Sequence, residues 1–171
     1  MKRLTLLACA GLLLSGCAMF QPAETVQAPE PAAPARDLIA ELYAMVEADD
    51  AIVVEPLPDA EIEDLRAAAH EALALRDLER AARSLAQALE IRPGRPDLLQ
   101  MRAEVALGQQ LLDEAEQYAI ASFENGPRLG PLCRRNWAAI QLAREVRGNI
   151  AEAETAREQS QRCTAEPVIR M

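Results

Sequence analysis

The feature that most constrains this chain is that it repeats itself. Sliding the sequence by 34 residues superposes Leu65 on Leu99, Ala69 on Ala103, Ala72 on Ala106, Leu73 on Leu107, Leu78 on Leu112, Ala81 on Ala115 and Pro93 on Pro127. A fixed period of that length marks a repeat array, whose units bury their apolar faces by stacking on one another. Within each unit the apolar residues recur at helical spacing in two blocks. The blocks are parted by a polar break at Arg76-Asp77 or Gln109-Gln110 and closed by Pro93-Gly94 or Gly126-Pro127. Each unit, 62–95 and 96–129, therefore reads as a helical hairpin. Alanine at 69, 72, 81 and 88, and again at 103, 106 and 115 with Ser122 in the last place, lets the paired helices approach closely, while Leu65, Leu85 and Leu99 fill the remaining volume.

A third copy, 130–171, is offset by four further residues. Leu99 then meets Trp137, Leu112 meets Ile150, Ala115 meets Ala153 and Ser122 meets Ser160, with Arg128-Leu129-Gly130-Pro131 read as an insertion. Gln141 and Arg144 fall where the first two units carry alanine, which leaves the packing register of that helix open. Gly148-Asn149 forms the turn, and Asn149 with Glu152 three residues on has the capping-box pattern. The small residues of the first helix, Ala81 and Ala115, Ala88 and Ser122, and the closing Pro93 and Pro127 together resemble the tetratricopeptide repeat family over residues 62–163. The resemblance implies an all-α fold, an α-solenoid of about three hairpins, preceded here by a short N-terminal helix and a disordered tether. It also implies that partners bind a concave groove lined by the first helix of each hairpin. By matching positions, the groove residues are Arg66, His70, Gln100, Glu104, Arg135, Ala138 and Glu145. The lysines and asparagines of the family's carboxylate clamp are not at the matching places.

The N-terminus is an address rather than part of the fold. Lys2 and Arg3 precede an apolar run from Leu4 to Leu14, shorter than the roughly 20 residues that a permanent membrane helix needs. Leu14-Ser15-Gly16-Cys17 resembles the bacterial lipobox. The resemblance implies that residues 1–16 are removed and that Cys17 carries a diacylglyceryl thioether and an N-acyl chain such as palmitate, which together anchor stably. Ala18 in place of aspartate implies the outer membrane, with the protein facing the periplasm. Residues 17–36, with Pro22, Pro29, Pro31 and Pro34 among alanines and glutamates, read as a spacer without a core. Residues 37–61 complete the N-terminal part. Asp37 is a good N-cap for a helix with an apolar stripe of Leu38, Ile39, Leu42, Met45 and Val46, and an extended strap follows through Ile52-Val53-Val54 to Pro58. Helix and strap are expected to pack on the first hairpin as an end cap, because solenoid ends must hide an apolar face. The alternative is a helix that docks a partner.

Cys133 and Cys163 each lie 15 residues from Gly148, so a hairpin turning there sets them at one height. Facing Cα atoms of packed antiparallel helices come within reach of a disulfide, and a secreted location favours one. The expected bridge contributes roughly 3 to 4 kcal/mol by loop entropy. A metal site is the poorer reading, since two thiols and His70 in another hairpin do not supply four ligands. Only 164–171 follow, interrupted by Pro167, so no further capping helix fits and the last hairpin is expected to leave an uncovered face.

The net charge of −9 is unevenly spread. Residues 37–127 hold 20 acidic side chains and 7 arginines, whereas 128–171 hold 5 acidic side chains and 8 arginines. Complementary ends of this kind steer encounters, although a merely solvated surface has the same composition. There is one histidine, no glycine-rich phosphate loop and no nucleophile elbow, so neither an enzyme nor a cofactor is expected. Acidity and compartment exclude nucleic acid, and no small-molecule substrate is indicated. The expected function is a lipid-anchored periplasmic adaptor or scaffold that holds an envelope protein or peptide at the outer membrane. The alternatives are a pilotin-like assembly factor for a secretion or pilus system, a regulator of a peptidoglycan enzyme, and a structural envelope protein.

Overall fold

Residues 36–46 and 59–164 are described by the structure, a computed structural model. The candidate signal peptide, Cys17, the tether and the extended strap lie outside them. Every regular element among the described residues is helical: α1 Leu38–Val46, α2 Ala60–Ala74, α3 Leu78–Ile91, α4 Pro96–Gly108, α5 Leu112–Asn125, α6 Pro131–Val146 and α7 Ile150–Arg162. Helices α2 to α7 pair in sequence as three antiparallel hairpins, and successive hairpins stack side by side.

The three turns are built alike. Arg76, Gln110 and Gly148 each take a left-handed backbone, with φ of 59°, 61° and 80°. In each turn the N–H of the next residue bonds back to the helix: Asp77 to the Ala72 carbonyl (2.8 Å), Leu111 to Ala106 (2.9 Å) and Asn149 to Arg144 (2.9 Å). These bonds close a Schellman motif, which satisfies the last carbonyls of the first helix and redirects the chain. The next helix starts differently each time. Asp77 accepts from the Arg80 N–H at 2.9 Å as a true N-cap, whereas Asn149 occupies the N-cap position of α7 without a side-chain cap bond. The capping box expected there does not form. Pro96 and Pro131 open α4 and α6 at a position where a missing N–H is harmless.

The small residues are what allow the hairpins to close. Ala69, Ala72, Ala81, Ala88, Ala103, Ala106, Ala115 and Ser122 are all fully buried, and Ser122 Oγ donates to the Pro96 carbonyl at 2.7 Å. Helix α4 is the axle of the array: from Leu98 to Leu107 every residue except Arg102 is buried. One core cluster lies between the first hairpin and α4, around Ile62, Leu85, Leu98 and Val105. The other gathers α1, α4, α5, α6 and α7 around Leu38, Leu42, Leu107, Ile140 and Leu142.

One expectation changes. Helix α1 is not an end cap on the first hairpin: it packs chiefly on α6 and α4, and its Leu38, Ile39 and Leu42 are buried there while Met45 is exposed. The stripe needed a partner, and the apolar surface of the second and third hairpins is the larger one. Among the described residues no helix packs on the outer side of α7, as expected of the last hairpin. Helix α7 buries Ala153 and Ala156 inward and exposes Ile150 and Ala151 together with glutamate, arginine and threonine. Cys133 and Cys163 are joined by a disulfide with a Cα–Cα distance of 5.7 Å. The Cys163 carbonyl also accepts from the Gly130 N–H at 2.7 Å, so the open end of the last hairpin is tied twice.

Candidate functional site

The residues expected to line a groove stand on α2, α4 and α6, the first helices of the three hairpins, and they do not share one environment. Gln100, Glu104 and Ala138 are buried, because α1 lies over them. The groove expected to be open is therefore filled along its second and third hairpins by the chain's own helix. Arg66 and His70, on α2, lie outside this covered part. Arg66 is half-buried and ion-paired with Glu63, with Asp97 at 3.9 Å. His70 is exposed.

Glu104 is the centre of the covered part. It has no solvent exposure, and an isolated carboxylate in that position would be prohibitively costly. It is matched from both sides: Tyr43 Oη of α1 donates to Oε2 at 2.8 Å, and the Arg135 guanidinium of α6 pairs with Oε1. That guanidinium also lies over the Tyr43 ring, 5.3 Å from its centroid, a favourable cation–π geometry. Gln100 Nε2 donates to the Arg135 carbonyl at 3.3 Å. Burial, and secondarily the negative Glu104, push the Tyr43 phenol up to about 12. Glu145 sits nearer the end of α6, half-buried, accepting from Gln141 Nε2 at 2.7 Å and lying 3.6 Å from Arg36.

Sequence reasoning found the α4 and α6 members of this cluster but missed Tyr43 and Arg36. Tyr43 stands one position off the apolar stripe of α1, where an aromatic hydroxyl signals a half-buried edge with a polar partner. That signal was available, though the identity of the partner was not. The apposition is tightened at Gly108, where an added Cβ would stand 2.6 Å from Ile39 Cδ1. The same end of α1 is fixed by Asp37. It caps α1 by accepting from the Ala40 N–H at 3.1 Å and accepts from Arg76 Nη1 at 3.0 Å, bonds which in that order hold its carboxyl below the usual range.

Among the described residues no helix is long and apolar enough to cross a membrane. The fold and this site define an array of three helical hairpins with an amphipathic helix, α1, packed across α4 and α6. No family model matches the chain, and no curated protein matches it. Among solved structures, it is similar to the globular C-terminal domain of LpoP from P. aeruginosa, with 31% sequence identity and a TM-score of 0.57, over 61% of this chain and 98% of that one. With that identity across nearly the whole domain, the chain belongs to the family of the LpoP C-terminal domain.

Proposed function

We propose that this protein is an outer-membrane lipoprotein, anchored through Cys17 and facing the periplasm, that regulates a peptidoglycan synthase by binding it. The observation that carries the reading is the likeness to the LpoP domain. A lipobox and a proline-rich spacer precede the helices in the sequence, and an anchored regulator whose target lies across the periplasm needs both. We read the hairpins as tetratricopeptide-like and the protein as a binding module without catalysis of its own. The first hairpin's Arg66 and His70 are the part of the expected groove that α1 leaves uncovered. This reading favours the regulator, for which reach matters, over the docking adaptor and the pilotin-like factor.

The test is in-cell crosslinking followed by capture, with three forms of the chain: wild type, Cys17→Ala, and a form with residues 20–36 shortened by half. A peptidoglycan synthase should be captured by the wild type and lost from the other two, while circular dichroism shows the helical domain intact. Capture of other envelope proteins and no synthase, or capture indifferent to tether length, would return the adaptor reading to first place.

A further inference from the structure

Helix α1 is held differently from the rest of the fold. The core between the first hairpin and α4 contains none of its residues, and its neighbours are α6 and α4. It buries Leu38, Ile39 and Leu42, and with nine residues it is too short to persist as a helix once it leaves that surface. The three hairpins, by contrast, hold one another, each packed on the next. Only one end of α1 is joined to them by chain, so its departure breaks no connection within the array.

The polar cluster beneath it is divided in the same way. Glu104 takes its counter-charge from Arg135, and both stand on helices of the array. Helix α1 adds one neutral hydrogen bond, from Tyr43 Oη to Glu104 at 2.8 Å. When α1 leaves, the carboxylate keeps its ion pair and exchanges the phenol for water, so no uncompensated charge is stranded. Closure has a cost of its own. Gln100 Oε1 and Arg135 Nε are buried without a hydrogen bond, and water reaches such groups when the cover lifts. The ties to the array at the N-terminal end of α1, Arg36 to Glu145 and Asp37 to Arg76, are solvent-accessible ion pairs, and pairs of that kind hold weakly.

We infer that α1 is a lid: it opens and unfolds as a unit while α2 to α7 stay folded, uncovering the surface of α4 and α6 that carries Gln100, Glu104 and Ala138. Any partner of those residues meets α1 as a competitor. The closure stands on the packing alone and does not depend on the regulator reading.

The test is native-state amide hydrogen exchange by NMR on the chain from residue 17 onward, with Cys17→Ser to keep it unacylated and the disulfide intact. Relative to their unstructured rates, the amides of Glu41 to Val46 should exchange roughly a hundredfold faster than those at the centre of α4, and with little response to low concentrations of urea, the sign of an opening that exposes little surface. Two variants separate the lid from the whole fold. Tyr43→Phe should raise exchange in α1 about fivefold, the loss of one hydrogen bond. Leu85→Val, in the core that α1 does not enter, should raise exchange at the centre of α4 about tenfold through global unfolding and leave that of α1 unchanged. Equal protection of α1 and α4, exchange in α1 indifferent to Tyr43→Phe, or a Leu85→Val effect of the same size in both helices overturns the proposal.

Discussion

At the residue scale, the buried carboxylate of Glu104 is the most consequential side chain in the protein. Its two partners are not equivalent. Arg135 neutralises the charge, whereas Tyr43 contributes one hydrogen bond. Arg135→Met keeps the aliphatic stem but leaves an anion buried without a counter-charge, and should cost about 3 kcal/mol. Tyr43→Phe removes the hydroxyl alone and should cost about 1 kcal/mol. Urea melts of the two variants check the order, and equal losses would show that the charge is compensated elsewhere. Neither partner was legible from spacing, because Tyr43 and Arg135 lie 61 and 31 residues from Glu104 in sequence. Periodicity put Glu104 on the face of α4 shared with Gln100, and it could go no further. A residue's place on its helix is local information, whereas its counter-ion depends on which element crosses that face.

At the scale of elements, the first two hairpins were legible because three independent signals coincide in each: small residues at the close contacts, a polar break at the turn and a proline at the boundary, whereas Gln141 and Arg144 in place of alanine weaken the first signal in the third. The turns themselves were only half legible. Gly148 announces a left-handed position, whereas Arg76 and Gln110 adopt the same backbone with side chains that oppose it. The Schellman bonds impose that conformation regardless of the residue. Gln110→Gly should therefore stabilise the fold by about 1 kcal/mol, as the strain of the left-handed residue is relieved. A rise in Tm reports it, and a fall would mean that the Gln110 side chain makes a contact worth more than the strain. Helix α1 is the element whose destination the sequence withheld. Its stripe states that one side is buried, but a nine-residue helix fits either the end of the array or its hollow, and the larger apolar surface on α4 and α6 decides.

For the whole molecule, a few titratable groups contribute to the dependence of stability on pH. The carboxyls of Asp37, Glu41 and Glu63 are lowered, Asp37 first by the Ala40 N–H, Glu41 by Arg36 and Glu63 by Arg95. Groups of that kind stabilise fully above their ordinary values, 3.8 for aspartate and 4.5 for glutamate, and their contribution is lost as pH falls through the lowered ones. Tyr43 works in the other direction. Its pKa is raised from 10.0 to about 12, so its contribution is complete below pH 10 and disappears as pH rises through 12. Thermal melts across this range should show a plateau with an acid and an alkaline edge, the second softened in Tyr43→Phe; an unchanged alkaline edge in that variant would assign it to another group. The bracing of Arg36 and Asp37 has a mechanical consequence. Arg36 bonds to Glu41 and lies beside Glu145 of α6, while Asp37 bonds to Arg76 at the tip of the first hairpin. These two residues are where the preceding chain enters the fold, so a pull along that chain is divided between the first and third hairpins, like a load carried on two hooks instead of one.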